Sequence, residues 1–277
     1  MSEKQEPKVL IAIPMMHYVD AQFFRSILGL RKVGVMEIGI EVDSLVYEAR
    51  NRLTITALDK EYDYMLFLDS DMVFQRDLLE RLMADMKGGK EFVCGLAFKR
   101  RLPTTPVILK SIEWMPGNKE HGIQHHVEYF EDYPRDSLFE IGGCGFGCVL
   151  IKTSAILELA QYFGMSPFTP MPYLGEDYSF CWRMKQIGKK MWCDSSVKLG
   201  HVGQHIYTEE DYLKQQAEKK ESGSRIQVSE HSSGISAEIP GSENFEDWES
   251  SANGDRTLSR DPQEGTVPVR TGGGREG

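Results

Sequence analysis

The chain has 277 residues, of which 40% are hydrophobic and 27% charged, with a formal net charge of -10. This suffices for the core of one large α/β domain or two small ones, and the acidic balance excludes a broad nucleic-acid-binding face, which needs an excess of Lys and Arg. No apolar run approaches the roughly 20 residues that span a bilayer. The first run, Val9 to Met16, is short and broken by Pro14, so no signal or transmembrane segment is expected and the protein reads as cytoplasmic. Cys94, Cys144, Cys148, Cys181 and Cys193 are odd in number and lie mostly in apolar contexts. Cys144 and Cys148 lack the two-residue spacing and the second pair of a zinc site, so all five read as buried thiols.

Strand and helix signals alternate from the start. Val9 to Ile13 predicts a strand apolar on both faces, ended by Pro14; a helix capped by Asp20 follows and stops at Gly34. Val35 to Ile40 predicts a second strand and Leu45 to Leu58 a helix. Tyr64 to Leu68 is a third strand, Asp77 to Met86 a helix closed by Gly88-Gly89, and Phe92 to Leu96 a fourth strand. Such alternation implies a mostly parallel sheet flanked by helices. Beyond Arg101, prolines and short strand-like pieces at 107–109 and 127–130 suggest a small antiparallel extension. The Gly-rich segment 142–147 leads into a strand from Cys148 to Ile151 and a helix from Thr153 to Phe163. A proline-rich loop at 167–172 precedes Gly175-Glu176-Asp177, which opens a helix to about Ile187; a strand at Lys190 to Cys193 and the turn Gly200-His201-Val202-Gly203 follow. Thr208 caps a polar helix with Asp211 at the box position. One domain is expected over 1–221, and 222–277, rich in Ser, Gly and acidic residues, reads as a disordered tail. No internal repeat is present.

Asp69-Ser70-Asp71 ends the third strand. Residues i and i+2 of an extended chain point the same way, so both carboxylates face one cleft, and open α/β sheets bind ligands beyond the carboxyl ends of their strands. Two close carboxylates repel unless a cation sits between them or one is protonated. A hard divalent ion meets that need and bridges to a substrate's phosphates. The alternative is that Asp69 only caps the next turn. Arg50-Asn51, in the preceding helix, places a planar fork of donors suited to a phosphate or to a carboxylate of the acidic pair; otherwise Arg50 is a surface residue. Glu176-Asp177 stands at a helix N-terminus, whose dipole keeps a carboxylate ionised and fit to accept a proton, although the same residues serve as plain caps. His201 lies in a late loop where a neutral imidazole can ligate a metal, with His205 as substitute.

In these segments the chain resembles the GT-A glycosyltransferases, in particular family 2 and its relatives, over roughly residues 8–205. The resemblance implies a GT-A fold (that of the nucleotide-diphospho-sugar transferases) and a hexosyltransferase that moves a sugar from a UDP- or GDP-sugar to an acceptor hydroxyl. It implies that Asp69 contacts the donor's ribose or a metal-bound water, and that Asp71 ligates Mn²⁺ or Mg²⁺ beneath the diphosphate, with Asp69 and His201 completing the metal set. Arg50 and Asn51 would face the nucleotide, and Asp177 would be the catalytic base, with Glu176 as alternative or acceptor-binding group. By position only, Pro14, Met15, Glu41 or Asp43, Ser70, Gly142 and Gly143 would border the nucleotide or sugar; Trp182 would be a sugar platform or a core residue. An inverting displacement is expected, with retention open. The Gln-x-x-Arg-Trp motif of processive synthases is absent. Two other readings are a haloacid-dehalogenase-type phosphohydrolase with Asp69 as nucleophile, since Leu66 to Val73 fits that family's first motif, and a nucleotide-sugar-binding module that has lost activity.

Overall fold

The apolar run at Val9 becomes the inner strand of a sheet in the computed structural model, which describes residues 6–118, 122–203 and 205–229. In chain order the elements are β1 (Lys8–Met15), α1 (Ala21–Gly29), β2 (Val35–Val42), α2 (Val46–Asp59), β3 (Tyr64–Leu68), β4 (Met72–Val73), α3 (Leu78–Asp85) and β5 (Phe92–Leu96). They continue as β6 (Ile108–Asn118), β7 (Gly122–Tyr129), β8 (Leu138–Ile141), β9 (Gly143–Cys144), β10 (Cys148–Lys152), α4 (Thr153–Phe163), α5 (Glu176–Gln186), β11 (Met191–Lys198), β12 (Gly200–Val202), β13 (Ile206–Tyr207) and α6 (Glu209–Ser229). Residues up to Val228 form one compact unit. No helix among the described residues is long and apolar enough to cross a membrane.

A seven-stranded sheet carries the order β2-β1-β3-β10-β5-β11-β8. β1 is parallel to both β2 and β3, and β11 is parallel to β5. β10 runs antiparallel to both β3 and β5, and β8 antiparallel to β11. The sheet is therefore mixed: five strands run one way and two, β10 and β8, the other, and the reversed β10 lies in the middle rather than only in an extension. Two small antiparallel sheets, β13-β12-β4 and β7-β6-β9, complete the architecture.

Both faces of the sheet are covered over β1, which is why that strand is apolar without alternation, whereas the edge strand β2 leaves Ile38 and Ile40 exposed. Val9, Ile11 and Ile13 pack with Phe23 of α1 and with Leu78, Leu79 and Leu82 of α3. Leu10 and Ala12 point the other way, into a core with Leu53 and Ala57 of α2, Ile156 and Leu159 of α4, and Phe180 and Met184 of α5. The five cysteines are all free and buried in these cores.

Several boundaries differ from expectation. Pro14 does not end β1: pairing with β2 continues to Met15, whereas pairing with β3 stops at Ala12. Pro14 thus sits where the strand has a ladder neighbour on one side only, a place that tolerates a residue without an N–H. α1 ends at Gly29, before Gly34. Gly34 instead stands just before β2 with φ +61°, and a Cβ there would lie 2.1 Å from the Pro7 carbonyl oxygen. β8 and β9 were not foreseen, and β11 runs on to Lys198. α6 begins as expected, with the Thr208 N–H and hydroxyl donating to Asp211 Oδ2 at 2.8 and 3.1 Å. It passes the expected boundary at Glu221 and reaches Ser229, since one glycine costs a helix only about 1 kcal/mol. The rest of the expected tail, 230–277, lies outside the described residues.

One carboxylate pair, half-buried Asp85 beside buried Asp194, lies apart from the strand ends that matter below. Asp85 of α3 faces Asp194 of β11, whose Oδ1 accepts from the Ser196 N–H at 2.8 Å. Burial first, and then the charge of Asp194, push the Asp85 carboxyl up to about 6. A raised acid favours the folded state in its protonated form, so the stability it contributes is full below the ordinary carboxylate range and is lost as pH rises through about 6. Asp85→Asn is expected to raise the urea midpoint at pH 7.5 and to lose that advantage towards pH 4.5; a gain independent of pH would show that Asp85 is not strained.

Candidate active site

Beyond the carboxyl end of β3 the chain turns sharply, and the turn is held by backbone bonds from elsewhere. The Asp69 N–H donates to the Gly147 carbonyl at 3.1 Å, the Met72 N–H to the Asp69 carbonyl at 3.1 Å, and the Val202 N–H to the Asp71 carbonyl at 2.8 Å. The Gly-rich segment before β10 and the turn at β12 thus fix the acidic pair from both sides. Gly147 has a packing reason to be glycine: a Cβ would meet Met72 Cε at 2.6 Å.

A cleft of about 340 Å³ opens here. Pro14, Met15, Asp69, Ser70, Asp71 and His201 line it, together with Met16, Ser44, Val46, Ala49 and Arg100. Its walls therefore come from the ends of β1 and β3, the start of α2, the bend after β5, and β12, as expected for a site beyond the carboxyl ends of strands.

Beside the cleft lies a buried cation. Arg50 is one of five buried residues on α2, with Ala49, Leu53, Thr54 and Ala57, and its side chain is only 3% exposed. Nη2 donates to Asp69 Oδ1 at 2.9 Å, Nη1 donates to Glu176 Oε1, and the guanidinium lies 5.3 Å from the Phe146 ring centre. Phe146 belongs to an aromatic cluster with Phe67, Phe168 and Phe180. Two carboxylates and an aromatic face offset the desolvation of the cation. Asn51, next in sequence, turns away from the cleft wall, and its Oδ1 accepts from the Phe168 N–H at 3.0 Å. That bond ties α2 to the loop before α5.

Asp71 takes different partners. Its Oδ2 accepts from Arg100 Nη1 at 2.7 Å and lies 3.3 Å from His201 Nε2. His201 Nδ1 is 2.8 Å from the Phe98 carbonyl oxygen, to which only an N–H can donate; the imidazole is therefore oriented with Nε2 towards Asp71. Burial disfavours the imidazolium, but Asp71 and the Phe98 carbonyl outweigh it and raise the His201 pKa above the ordinary histidine value. A carbonyl-anchored imidazole beside a carboxylate is the arrangement that orients a metal-binding histidine, so Asp71 and His201 fit a divalent ion. Asp69 spends one oxygen on Arg50. No group of three or more His, Cys, Asp or Glu side chains is gathered for a metal among the described residues. Magnesium-like ions commonly use one or two protein ligands and complete their shell with water and substrate phosphates.

Glu176 and Asp177 open α5, as expected, but neither lines the cleft; Arg50 connects Glu176 to it. The Asp177 carboxylate accepts from the Tyr178 N–H at 2.7 Å. Burial first, then Glu176, with a further push from Asp69, lift it to about 6, while Arg50 pulls the other way.

The remaining candidates divide. Asp43, with φ +59°, pairs with His17 at 2.6 Å and lies outside the cleft wall; Glu41 lies 3.7 Å from Arg52. His205 faces Asp211 at 3.2 Å, so of the two histidines it is His201 that faces Asp71. Gly142 and Gly143 answer to packing: their Cβ atoms would meet the Lys110 carbonyl oxygen at 2.3 Å and Cys181 Cβ at 2.9 Å. Trp182 packs on the core, 6.3 Å from Phe163. Sequence reasoning missed Arg100, although an arginine just past the carboxyl end of a predicted strand was visible, and missed Phe146 beneath Arg50.

No protein-family model matches the chain, and no curated protein matches it. Among solved structures it is similar to the crystal structure of A197 from STIV, at 21% identity and a TM-score of 0.48, over 71% of this chain and 86% of that one.

Removing one partner of a buried pair leaves uncompensated charge. Arg50→Ala is expected to cost about 3 kcal/mol of stability, with part of it restored by adding Glu176→Gln. A loss under about 1 kcal/mol in urea unfolding would mean that Arg50 does not hold the two carboxylates.

Proposed function

We propose that the chain is a metal-dependent glycosyltransferase of GT-A type, taking a UDP- or GDP-linked sugar to an acceptor hydroxyl. The observation that carries this reading is the convergence of all four motif segments: Arg50 binds both Asp69 and Glu176, and His201 faces Asp71 two residues from Asp69. A common acid cap or surface arginine would have no reason to converge in this way.

In this reading Asp71 and His201 would hold Mn²⁺ or Mg²⁺, which when bound supplies positive charge to a departing diphosphate. Asp69, oriented by Arg50, faces the cleft and serves the nucleotide. The wall formed by Pro14, Met15 and Val46 gives an apolar seat for a base. Asp177 would be the base, reached by the acceptor from the α5 side since it does not join the cleft wall: with its carboxyl lifted to about 6, it is ionised at neutral pH yet basic enough to accept the proton of an incoming hydroxyl. Glu176 holds Arg50 and so positions α5 rather than reacting. The acceptor would approach past Tyr173, which is 90% exposed just before α5. The phosphohydrolase alternative is less well supported, because a hydrogen bond from Arg50 withdraws charge from the carboxylate that would have to attack.

Calorimetry with UDP and GDP, with and without Mn²⁺, tests the donor site: metal-dependent binding of one of them, lost in Asp71→Ala, is expected, and binding of neither would sink the reading. Hydrolysis of a panel of nucleotide sugars then identifies the donor. Asp177→Asn is expected to lower kcat by about 10²- to 10⁴-fold with donor affinity kept. In the parent kcat/KM should rise with pH up to about 6 and then level, since the base acts only when ionised; a flat profile between pH 5 and 7 would exclude Asp177 from that role.

A further inference from the structure

We propose that Arg100 is a resident counter-cation of the Asp71 carboxylate, which a divalent ion must displace to load the site. The inference rests on the metal-site reading above and adds to it what controls loading.

The contact is placed where it competes. Arg100 Nη1 lies 2.7 Å from Asp71 Oδ2, the same oxygen that His201 Nε2 faces at 3.3 Å. A guanidinium on that oxygen and a metal ion between Asp71 and His201 exclude one another by charge and by volume.

The contact is also built to break. The Arg100 side chain is 53% exposed, against 3% for Arg50. An exposed pair is screened and contributes little, so a divalent cation can outcompete it, whereas the buried Arg50 pairs stay closed. Arg100 stands on a bend whose base is anchored: the Lys99 N–H donates to the Thr105 carbonyl at 2.9 Å, and the Thr104 hydroxyl donates to the Lys99 carbonyl at 2.7 Å. The backbone is held, and only the side chain has to move.

Its resting pose has a prepared seat. A Cβ on Gly203 would lie 2.7 Å from Arg100 Cγ and 2.8 Å from Cδ. The aliphatic stem therefore lies across a bare glycine two residues after His201, on the turn that supplies the imidazole. Any side chain at Gly203 would displace the stem and with it the guanidinium. Arg100 lines the cleft wall, so a displaced guanidinium would find a new partner in the phosphates of an anionic donor.

Mn²⁺ titration followed by electron paramagnetic resonance, at low ionic strength and without nucleotide, tests this on the full chain. Arg100→Gln is expected to bind Mn²⁺ roughly three- to tenfold more tightly than the parent. Gly203→Ala, which shifts the stem without removing the charge, is expected to move in the same direction, and Asp71→Asn should abolish the binding. An Arg100→Gln affinity equal to or weaker than the parent's would overturn the proposal while leaving the metal site in place. If the parent binds no Mn²⁺, or Asp71→Asn binds it equally well, the metal reading fails and the proposal falls with it.

Discussion

A guanidinium cannot be taken out of water without anions to meet it, and the 3% exposure of Arg50 sets what must surround it. Asp69 arrives at the end of β3 and Glu176 at the start of α5, two segments far apart in the chain. Phe146 closes the third side, carried by the segment that leads into β10. Each partner is thus delivered by a different element, and the guanidinium demands that all arrive in register. Asn51 adds a second tie from the same turn of α2, to the loop at Phe168. The acidic pair, the candidate base and the aromatic core beneath them are one electrostatic and packing unit centred on α2.

The two arginines at the site divide its electrostatics by exposure. Arg50 is sealed, so its pairs work at low dielectric and act as structure. Arg100 is half in water, so its pair with Asp71 is weak and exchangeable. Asp69 and Asp71, two residues apart, accordingly differ in what they are free to do. The first is bound to a buried cation of the scaffold, and the second to an exposed one. Asp177 stands between these regimes, close enough to Glu176 and Asp69 to be lifted and close enough to Arg50 to be restrained.

Much of this was legible where one physical cause dominates. β3 is apolar throughout because both sheet faces are covered, and α4 has the bounds its periodicity predicts, from Thr153 to Phe163. The acidic pair falls at a strand end, and Glu176-Asp177 at a helix start, because punctuation residues mark both places. What stayed hidden depends on distance in sequence. An arginine on an amphipathic helix reads as polar, and only the arrival of Glu176 reveals that Arg50 is buried. Asn51 looks like a ligand-facing amide until Phe168 claims its oxygen. The direction of β10 left no trace, since a central strand is equally apolar whether parallel or reversed. β8 was too short, with Glu140 interrupting its apolar residues, to stand out from a loop. The glycines at 142 and 143 read as room for a ligand, but the space is filled by Lys110 and Cys181.

The place of β10 between β3 and β5 bears on how the chain is made. A ribosome releases β1, β2, β3 and β5 well before Cys148 emerges, and until then β3 and β5 each present an apolar strand with an unpaired edge. The first half looks like a self-sufficient βαβ unit yet lacks the strand that fills its sheet. Its folding waits for a late, long-range insertion, which is slow and leaves sticky edges open meanwhile. Fragments that end before Gly147 therefore inherit the acidic pair without the Gly147 carbonyl that shapes its turn, so a nascent chain has the residues of the site long before it has the site.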